Sequence, residues 1–143
     1  MPKVLLMTEI AAFIRTLESP PDDVDLVHEL LSTVWEKAPD TSNRDRYSFE
    51  TALVELASNV IKHADAGDGV TYTITIKIHD DAIEAEIVDS GQQVHVDLDE
   101  HSLPDDLAES GRGIPIIMAL VDHISYDRNE NLNTWNIKRK FTS

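Results

Sequence analysis

The most informative part of the sequence is Glu50–Ala64, ETALVELASNVIKHA. Its large apolar residues continue a series that begins one residue earlier and recurs at i, i+4, i+7 and i+11: Phe49, Leu53, Leu56 and Val60. This spacing is typical of one buried face of an amphipathic helix. Ser42 and Asn43 are residue types that begin helices. We therefore predict a helix from Ser42 or Asn43 to about Ala64.

The polar residues Glu55 and Asn59 lie four positions apart in this helix, on the same side and one turn from each other. At about 100° per residue, Glu55 lies about 120° and Asn59 about 80° from the apolar face, so both flank it. A carboxylate and an amide oxygen placed in this way can orient a hydroxyl and provide one ligand to Mg²⁺, and Lys62 extends the same side. The spacing alone favours an ordinary solvated flank.

The chain around this helix alternates between helical and strand patterns. Before it, an apolar segment (Glu9–Leu17) is either a short helix or an edge strand, and Val24 to Val34 has helical spacing. After it, we predict strands at Thr71–Ile78, Ala82–Val88, Ile124–Asp127 and Asn133–Phe141, with a short helix at Ile114–Val121. This order predicts one α+β domain over residues 1–143, with helices on one face of a mixed, mainly antiparallel sheet.

The composition excludes several classes of function. The chain has 12 basic and 27 acidic residues and a net charge of −15, so direct binding to nucleic-acid phosphates is not expected. There is no cysteine, which excludes disulfides and thiolate metal sites. No apolar run approaches the ~18 residues of a membrane span, and residues 1–7 do not resemble a signal peptide. We expect a cytoplasmic protein.

Two further motifs contain residues suited to nucleotide binding. Asp89 ends a predicted strand and Gly91 lies two residues later, so the carboxylate can accept a hydrogen bond from an exocyclic amine while the glycine leaves room for a flat ring. A plain Asx turn explains the same residues. The second motif, Ser110-Gly111-Arg112-Gly113, precedes the predicted helix at Ile114. Backbone N–H groups at a helix N-terminus bind phosphate, and Arg112 can add a contact; a flexible hinge is the alternative.

Taken in order, these motifs resemble the nucleotide-binding boxes of the GHKL ATPase/kinase superfamily. Glu50–Ala64 is similar to the N box, Val88–Gly91 to the first glycine box and Ser110–Ile114 to the second. Asn133-Thr134 stands where a third, Gly-Thr, box is expected, with Asn133 in place of the usual glycine. Gln92-Gln93 stands where the first box usually has a second glycine.

The segment GIPIIMALVD at 113–122 and a loop of about twenty residues resemble one branch more closely. This branch is the anti-sigma factor serine/threonine kinases, or RsbW/SpoIIAB-like proteins. The resemblance runs from about Ala12 to Phe141. It implies the two-layer α/β sandwich known as the Bergerat fold, with residues 92–110 as the ATP lid. These lid residues include several acids and neither Lys nor Arg.

The resemblance also implies the roles of particular residues. Glu55 would be the general base, Asn59 would hold Mg²⁺ between the ATP phosphates, and Lys62 would approach a phosphate. Asp89 would accept the adenine amino group, with Gly91 leaving room for the ring. The remaining expected contacts are a phosphate cradle at Gly111 and Gly113 with Arg112 beside it, and Thr134 lining the nucleotide pocket.

As a function, the resemblance implies ATP–Mg²⁺-dependent phosphorylation of a serine or threonine on a STAS-domain anti-sigma factor antagonist. Sequestration of a sigma factor and a homodimer are further properties that it suggests. The alternative function is a catalytically silent GHKL-fold module that acts only by holding a protein partner. The catalytic part of a histidine kinase is less well supported, because the sequence has no dimerisation helix with a phospho-accepting histidine.

Overall fold

The computed structural model describes residues 9–20, 22–64, 67, 69–93 and 108–142. Their elements, in chain order, are β1 (Glu9–Ser19), α1 (Asp25–Lys37), α2 (Asn43–Ala64), β2 (Val70–His79), β3 (Ala82–Asp89), α3 (Ala108–Leu120), β4 (His123–Asn129) and β5 (Leu132–Lys140). None of the helices in these ranges is long and apolar enough to cross a membrane.

The strands form one sheet in the order β1-β2-β3-β5-β4, and each neighbouring pair is antiparallel. Burial alternates along the strands, as it does when one face of a sheet is covered. In β5, for example, Trp135 and Ile137 are buried in the same core as Phe49 and Leu53 of α2. The predicted α+β fold, with helices packed on a mainly antiparallel sheet, is confirmed.

Helix α2 begins where the sequence predicts, because Ser42 caps it. The Ser42 hydroxyl accepts the backbone N–H of Asp45 at 3.1 Å and donates to the Asp45 carboxylate at 3.0 Å. Asp45 is almost fully buried and also accepts a bond from Arg139 Nε at 2.9 Å. This ion pair fixes the start of α2 against the far end of β5.

The structure decides between the two alternatives for one predicted element, and it differs from the prediction for another. The segment from Glu9 onward is an edge strand, so the helical alternative for it is wrong. Helix α3 begins at Ala108, not at Ile114. Ala108 and Glu109 are good helix formers, and the helix continues through Pro115, which has no N–H to bond to the carbonyl of Gly111.

The predicted lid at 92–110 lies mostly outside the described residues. Residues 94–107 are not described, Gln92 and Gln93 follow β3 without regular structure, and residues 108–110 belong to α3. The first turn of α3 therefore takes up the last residues that the sequence assigned to the loop.

Candidate functional site

The candidate site contains a buried carboxylate at the end of β3. Asp89 is 2% exposed. Its Oδ1 atom accepts the backbone N–H of Gly91 and the side-chain Nδ2 of Asn133, both at 2.8 Å. Its Oδ2 atom is buried and has no hydrogen-bond partner among the described residues. A buried acceptor without a partner is costly, so this atom is suited to a donor on a ligand.

Burial raises the pKa of Asp89 above its usual range, while the hydrogen bonds from Asn133 and Gly91 and the charge of Arg128 oppose that shift. A raised pKa in a buried group is typical of functional sites, although buried structural networks also shift pKa values. The unpartnered Oδ2 atom is the feature that favours the functional explanation here.

The residue that faces Asp89 across the sheet is Asn133, not Thr134. Asp89 lies directly opposite Asn133, and Val88 lies opposite Thr134. Successive side chains in a strand point to opposite faces, so Thr134 lies on the other face of the sheet. The structure therefore does not bring Thr134 to the Asp89 site. The alternation of Asn133 with the buried Trp135 and Ile137 is the sequence signal that identifies this face.

The flank of α2 is the second part of the site. Glu55 and Asn59 are both half-buried, and Lys62 is exposed, which agrees with their predicted position beside the apolar face. The helix rises about 21 Å from Asp45 to Asn59, and β5 spans about 20 Å from Arg139 to Asn133. Measured along their own elements, Asn59 and Asn133 therefore lie about equally far from the Asp45–Arg139 pair.

Helix α3 contacts this flank at Gly113. A Cβ atom at Gly113 would lie 2.5 Å from Asn59 Nδ2 and 3.0 Å from Oδ1, well inside the ~3.5 Å of an ordinary contact. Gly113 is buried, so the absence of its side chain is what leaves room for the Asn59 amide. Gly113 and Asn59, which the sequence assigned to separate boxes, are in direct contact.

The residues of the predicted phosphate cradle lie within α3, because this helix begins before them. Only the first N–H groups of a helix are free of intrahelical bonds, and in α3 these belong to Ala108, Glu109 and Ser110. Gly111 and Gly113 lie further inside the helix, so their N–H groups are not the free ones in this structure. The side chain of Arg112 lies outside the described residues.

A magnesium ion at Asn59 would take most of its other ligands from water and from the phosphates of a bound nucleotide. Within the described ranges, no three His, Cys, Asp or Glu side chains are grouped to hold a metal. Magnesium usually keeps several waters and takes only one or two protein ligands together with substrate phosphates. The half-buried Asn59 amide is compatible with that single-ligand role.

A protein-family model described as "Histidine kinase-like ATPase domain" matches residues 17–138. A comparison with curated proteins finds no match. Among solved structures, the RsbU and RsbW domains of Rv1364c from Mycobacterium tuberculosis align over 93% of this chain with a TM-score of 0.67 and 17% identity. The catalytic domain of the histidine kinase ThkA aligns over 91% of this chain and 98% of its own, with a TM-score of 0.55 and 16% identity.

The chain spans about a third (33%) of the length of the Rv1364c structure. At these identities the two structural matches establish the fold. The matched family model extends across β1 to β5 and includes both parts of the site, the Asp89 cluster and the flank of α2.

Proposed function

Because the chain belongs to the histidine kinase-like ATPase domain family, we propose that it is an anti-sigma factor serine/threonine protein kinase of a partner-switching system. ATP binding and ATP-dependent phosphotransfer in general follow from the family. The proposed specific reaction is Mg²⁺-dependent transfer of the γ-phosphoryl group of ATP to a serine of a STAS-domain anti-sigma factor antagonist. The structure that contains the RsbW domain shares this fold over 93% of the chain, which supports the proposal.

The observation on which the proposal mainly depends is that Asp89 Oδ2 is buried and has no hydrogen-bond partner within the ranges that the structure describes. An ionised carboxylate can only accept hydrogen bonds, so this buried atom needs a donor such as the 6-amino group of adenine. Gly91 beside it has no side chain that would block a ring.

In the proposed mechanism, the described residues mostly position the reactants, as phosphoryl transfer generally requires. Asn59 would hold Mg²⁺, which would supply positive charge against the phosphates. Glu55, one turn away, accepts the proton of the substrate hydroxyl as the new O–P bond forms. The bond from the γ-phosphorus to the bridging oxygen of ADP breaks, and ADP leaves.

The experiment combines labelled ATP, the purified chain and STAS-domain proteins, and identifies phosphoserine in the product. We expect Glu55→Gln to abolish transfer and to leave ATP affinity within about twofold, because the base is needed for the chemical step and not for nucleotide binding. The control is Glu86→Gln, which alters a half-buried carboxylate on β3.

Normal transfer by Glu55→Gln would remove Glu55 from the role of base. Tight ATP binding without transfer to any STAS-domain protein would favour the alternative function, a module that only holds a partner. We also propose that the chain acts in the cytoplasm, sequesters a sigma factor and forms a homodimer. Its net charge of −15 suits a basic surface on such a partner.

A further inference from the structure

A row of polar side chains crosses the sheet at the end where Asp89 lies. The pairing register places Tyr72 opposite Asp89, Asp89 opposite Asn133, and Asn133 opposite Arg128. Directly opposed side chains share a face and lie about 5 Å apart at Cβ. Tyr72, Asp89 and Asn133 are buried, and Arg128 is half-buried at the edge of the row. Arg128 is thus connected to Asp89 through Asn133.

The hydrogen bonds of Asn133 allow one orientation of its amide. Nδ2 donates to Asp89 Oδ1 at 2.8 Å and to the carbonyl of Gln92 at 2.9 Å. Oδ1 accepts from the hydroxyl of Tyr126 and from Arg128 Nη1, the latter at 3.1 Å. An amide has two N–H donors and one carbonyl acceptor. A flipped amide would place its NH₂ group against the donors of Tyr126 and Arg128.

Arg128 ties the same cluster to the segment after β3. Its Nη1 atom donates to the carbonyl of Gly91 at 2.6 Å as well as to Asn133. The backbone N–H of Gly91 donates to Asp89 Oδ1. Gly91 is therefore held at both its N–H and its carbonyl, and the described residues hold Asp89 at Oδ1 only.

We propose that Asn133 and Arg128 are positioning residues that commit Asp89 to recognising a 6-amino purine. We call this pair the Arg128–Asn133 clamp. The clamp occupies Oδ1, keeps a cation near the carboxylate and leaves Oδ2 as the acceptor for the exocyclic amine. The inference rests on the proposed function, since it concerns how that same site selects ATP.

The clamp explains why the unusual residue of the third box is an asparagine. Glycine at position 133 would leave Asp89 Oδ1 with the Gly91 N–H alone and would remove one of the two acceptors of Arg128 Nη1, since the carbonyl of Gly91 would remain. The orientation of the buried carboxylate would then depend on that single backbone bond. A single amide both orients Asp89 and connects it to a positive charge.

The test compares the dissociation constants of ATP and purine riboside triphosphate, which has hydrogen in place of the 6-amino group. Both are measured by calorimetry with Mg²⁺ on the full chain. A hydrogen bond to a charged acceptor is typically worth a factor of about 10 to 100, so the wild type should prefer ATP by that ratio. Asn133→Ala should reduce the ratio to about 1 to 3.

Two further variants make the result specific. Asn136→Ala alters the same residue type in the same strand but opposite Glu86, on the other face of the sheet, and should keep the wild-type ratio. Arg128→Met removes the cation with little change in length. It should lower ATP affinity several-fold, leave purine riboside triphosphate unchanged, and so report on the clamp even if Asn133→Ala folds poorly.

The possible outcomes distinguish a failure of the clamp from a failure of the proposed ATP-dependent function. If the wild type prefers ATP but Asn133→Ala and Arg128→Met lower the affinity for both nucleotides equally, the clamp is overturned and the nucleotide site stays in place. Wild type that binds neither nucleotide would overturn the proposed function and the clamp together. Wild type that binds both equally would show that the amine is not recognised, which also overturns the clamp.

Discussion

Replacing Gly113 by alanine should weaken Mg²⁺-dependent nucleotide binding without weakening the fold. The new Cβ atom would lie 2.5 Å from Asn59 Nδ2, 3.0 Å from Oδ1 and 3.1 Å from Cγ. Restoring an ordinary contact of about 3.5 Å requires the Asn59 amide to move by about 1 Å. Losing one interaction with a charged group typically costs about 1.5–3 kcal/mol, and about 1.4 kcal/mol corresponds to a tenfold change in affinity, so we expect a loss of affinity for ATP–Mg²⁺ of about 10- to 100-fold.

The stability of this variant should change in the opposite direction. Gly113 lies inside α3, where alanine is favoured over glycine by about 1 kcal/mol, and the atoms it would meet belong to the end of a side chain that can rotate. Thermal unfolding should therefore show an unchanged or higher melting temperature.

The control for Gly113→Ala is a double-mutant cycle with Asn59→Ala. If the clash with Asn59 causes the loss, adding Gly113→Ala to Asn59→Ala should cost no further nucleotide affinity. Equal losses in the two backgrounds would show that Gly113 acts through another contact, and an unchanged affinity in the single variant would refute the reasoning.

Three other predictions concern buried polar groups. Tyr72→Phe should raise the free energy of unfolding by up to about 1 kcal/mol in urea denaturation, because the Tyr72 hydroxyl is buried without a partner among the described residues and burial raises its pKa to about 12. Asp45→Asn should cost about 3–5 kcal/mol by leaving Arg139 unpaired. Burial works against ionisation of Asp45, but hydrogen bonds from Thr142, Arg139 and Ser42 lower its pKa overall. The stabilisation that ionised Asp45 provides is therefore present above pH ~3.9 and is lost as the pH falls through the lower pKa of the folded state. Urea denaturation between pH 2 and 7 should show that loss in the wild type and not in Asp45→Asn. Because the pKa of Asp89 is raised, acidification should begin to lower the affinity for ATP at a pH higher than the ~3.9 at which an ordinary aspartate is half-protonated. A calorimetric pH series in which the affinity for purine riboside triphosphate falls equally would contradict this.

Periodic burial made much of the fold predictable from the sequence. The apolar face of α2 and the alternation along β2 are repeated patterns, and each repeat reinforces the same assignment. The start of α3 was not predictable in this way. Two glycines suggested a helix start at Ile114, whereas the helix-forming residues Ala108 and Glu109 stand at the end of an acidic stretch without apolar periodicity.

The site was predictable in its residue types but not in its register. The third-box motif alone does not separate Asn133 from Thr134, which are adjacent and both polar, and only the alternation of Asn133 with the apolar Trp135 and Ile137 indicates that Asn133 shares their face. Which of them faces Asp89 is decided by the pairing of β5 with β3, and that pairing is a long-range contact. The contact between Gly113 and Asn59 is likewise a product of helix packing and has no local signal.

The two buried aspartates in the described part of the chain show how burial and hydrogen bonding together separate a structural carboxylate from a ligand-binding one. Both oxygens of Asp45 accept bonds from Ser42, Arg139 or Thr142, and its pKa is lowered. Asp89 is buried to a similar degree, but one of its oxygens has no partner in the described chain and its pKa is raised. An apolar core offers no gain from a half-satisfied carboxylate, since a hydrophobic side chain would be more stable there. A ligand that donates a hydrogen bond to the remaining oxygen supplies the missing interaction. We therefore assign nucleotide recognition to the end of the sheet where Asp89 lies.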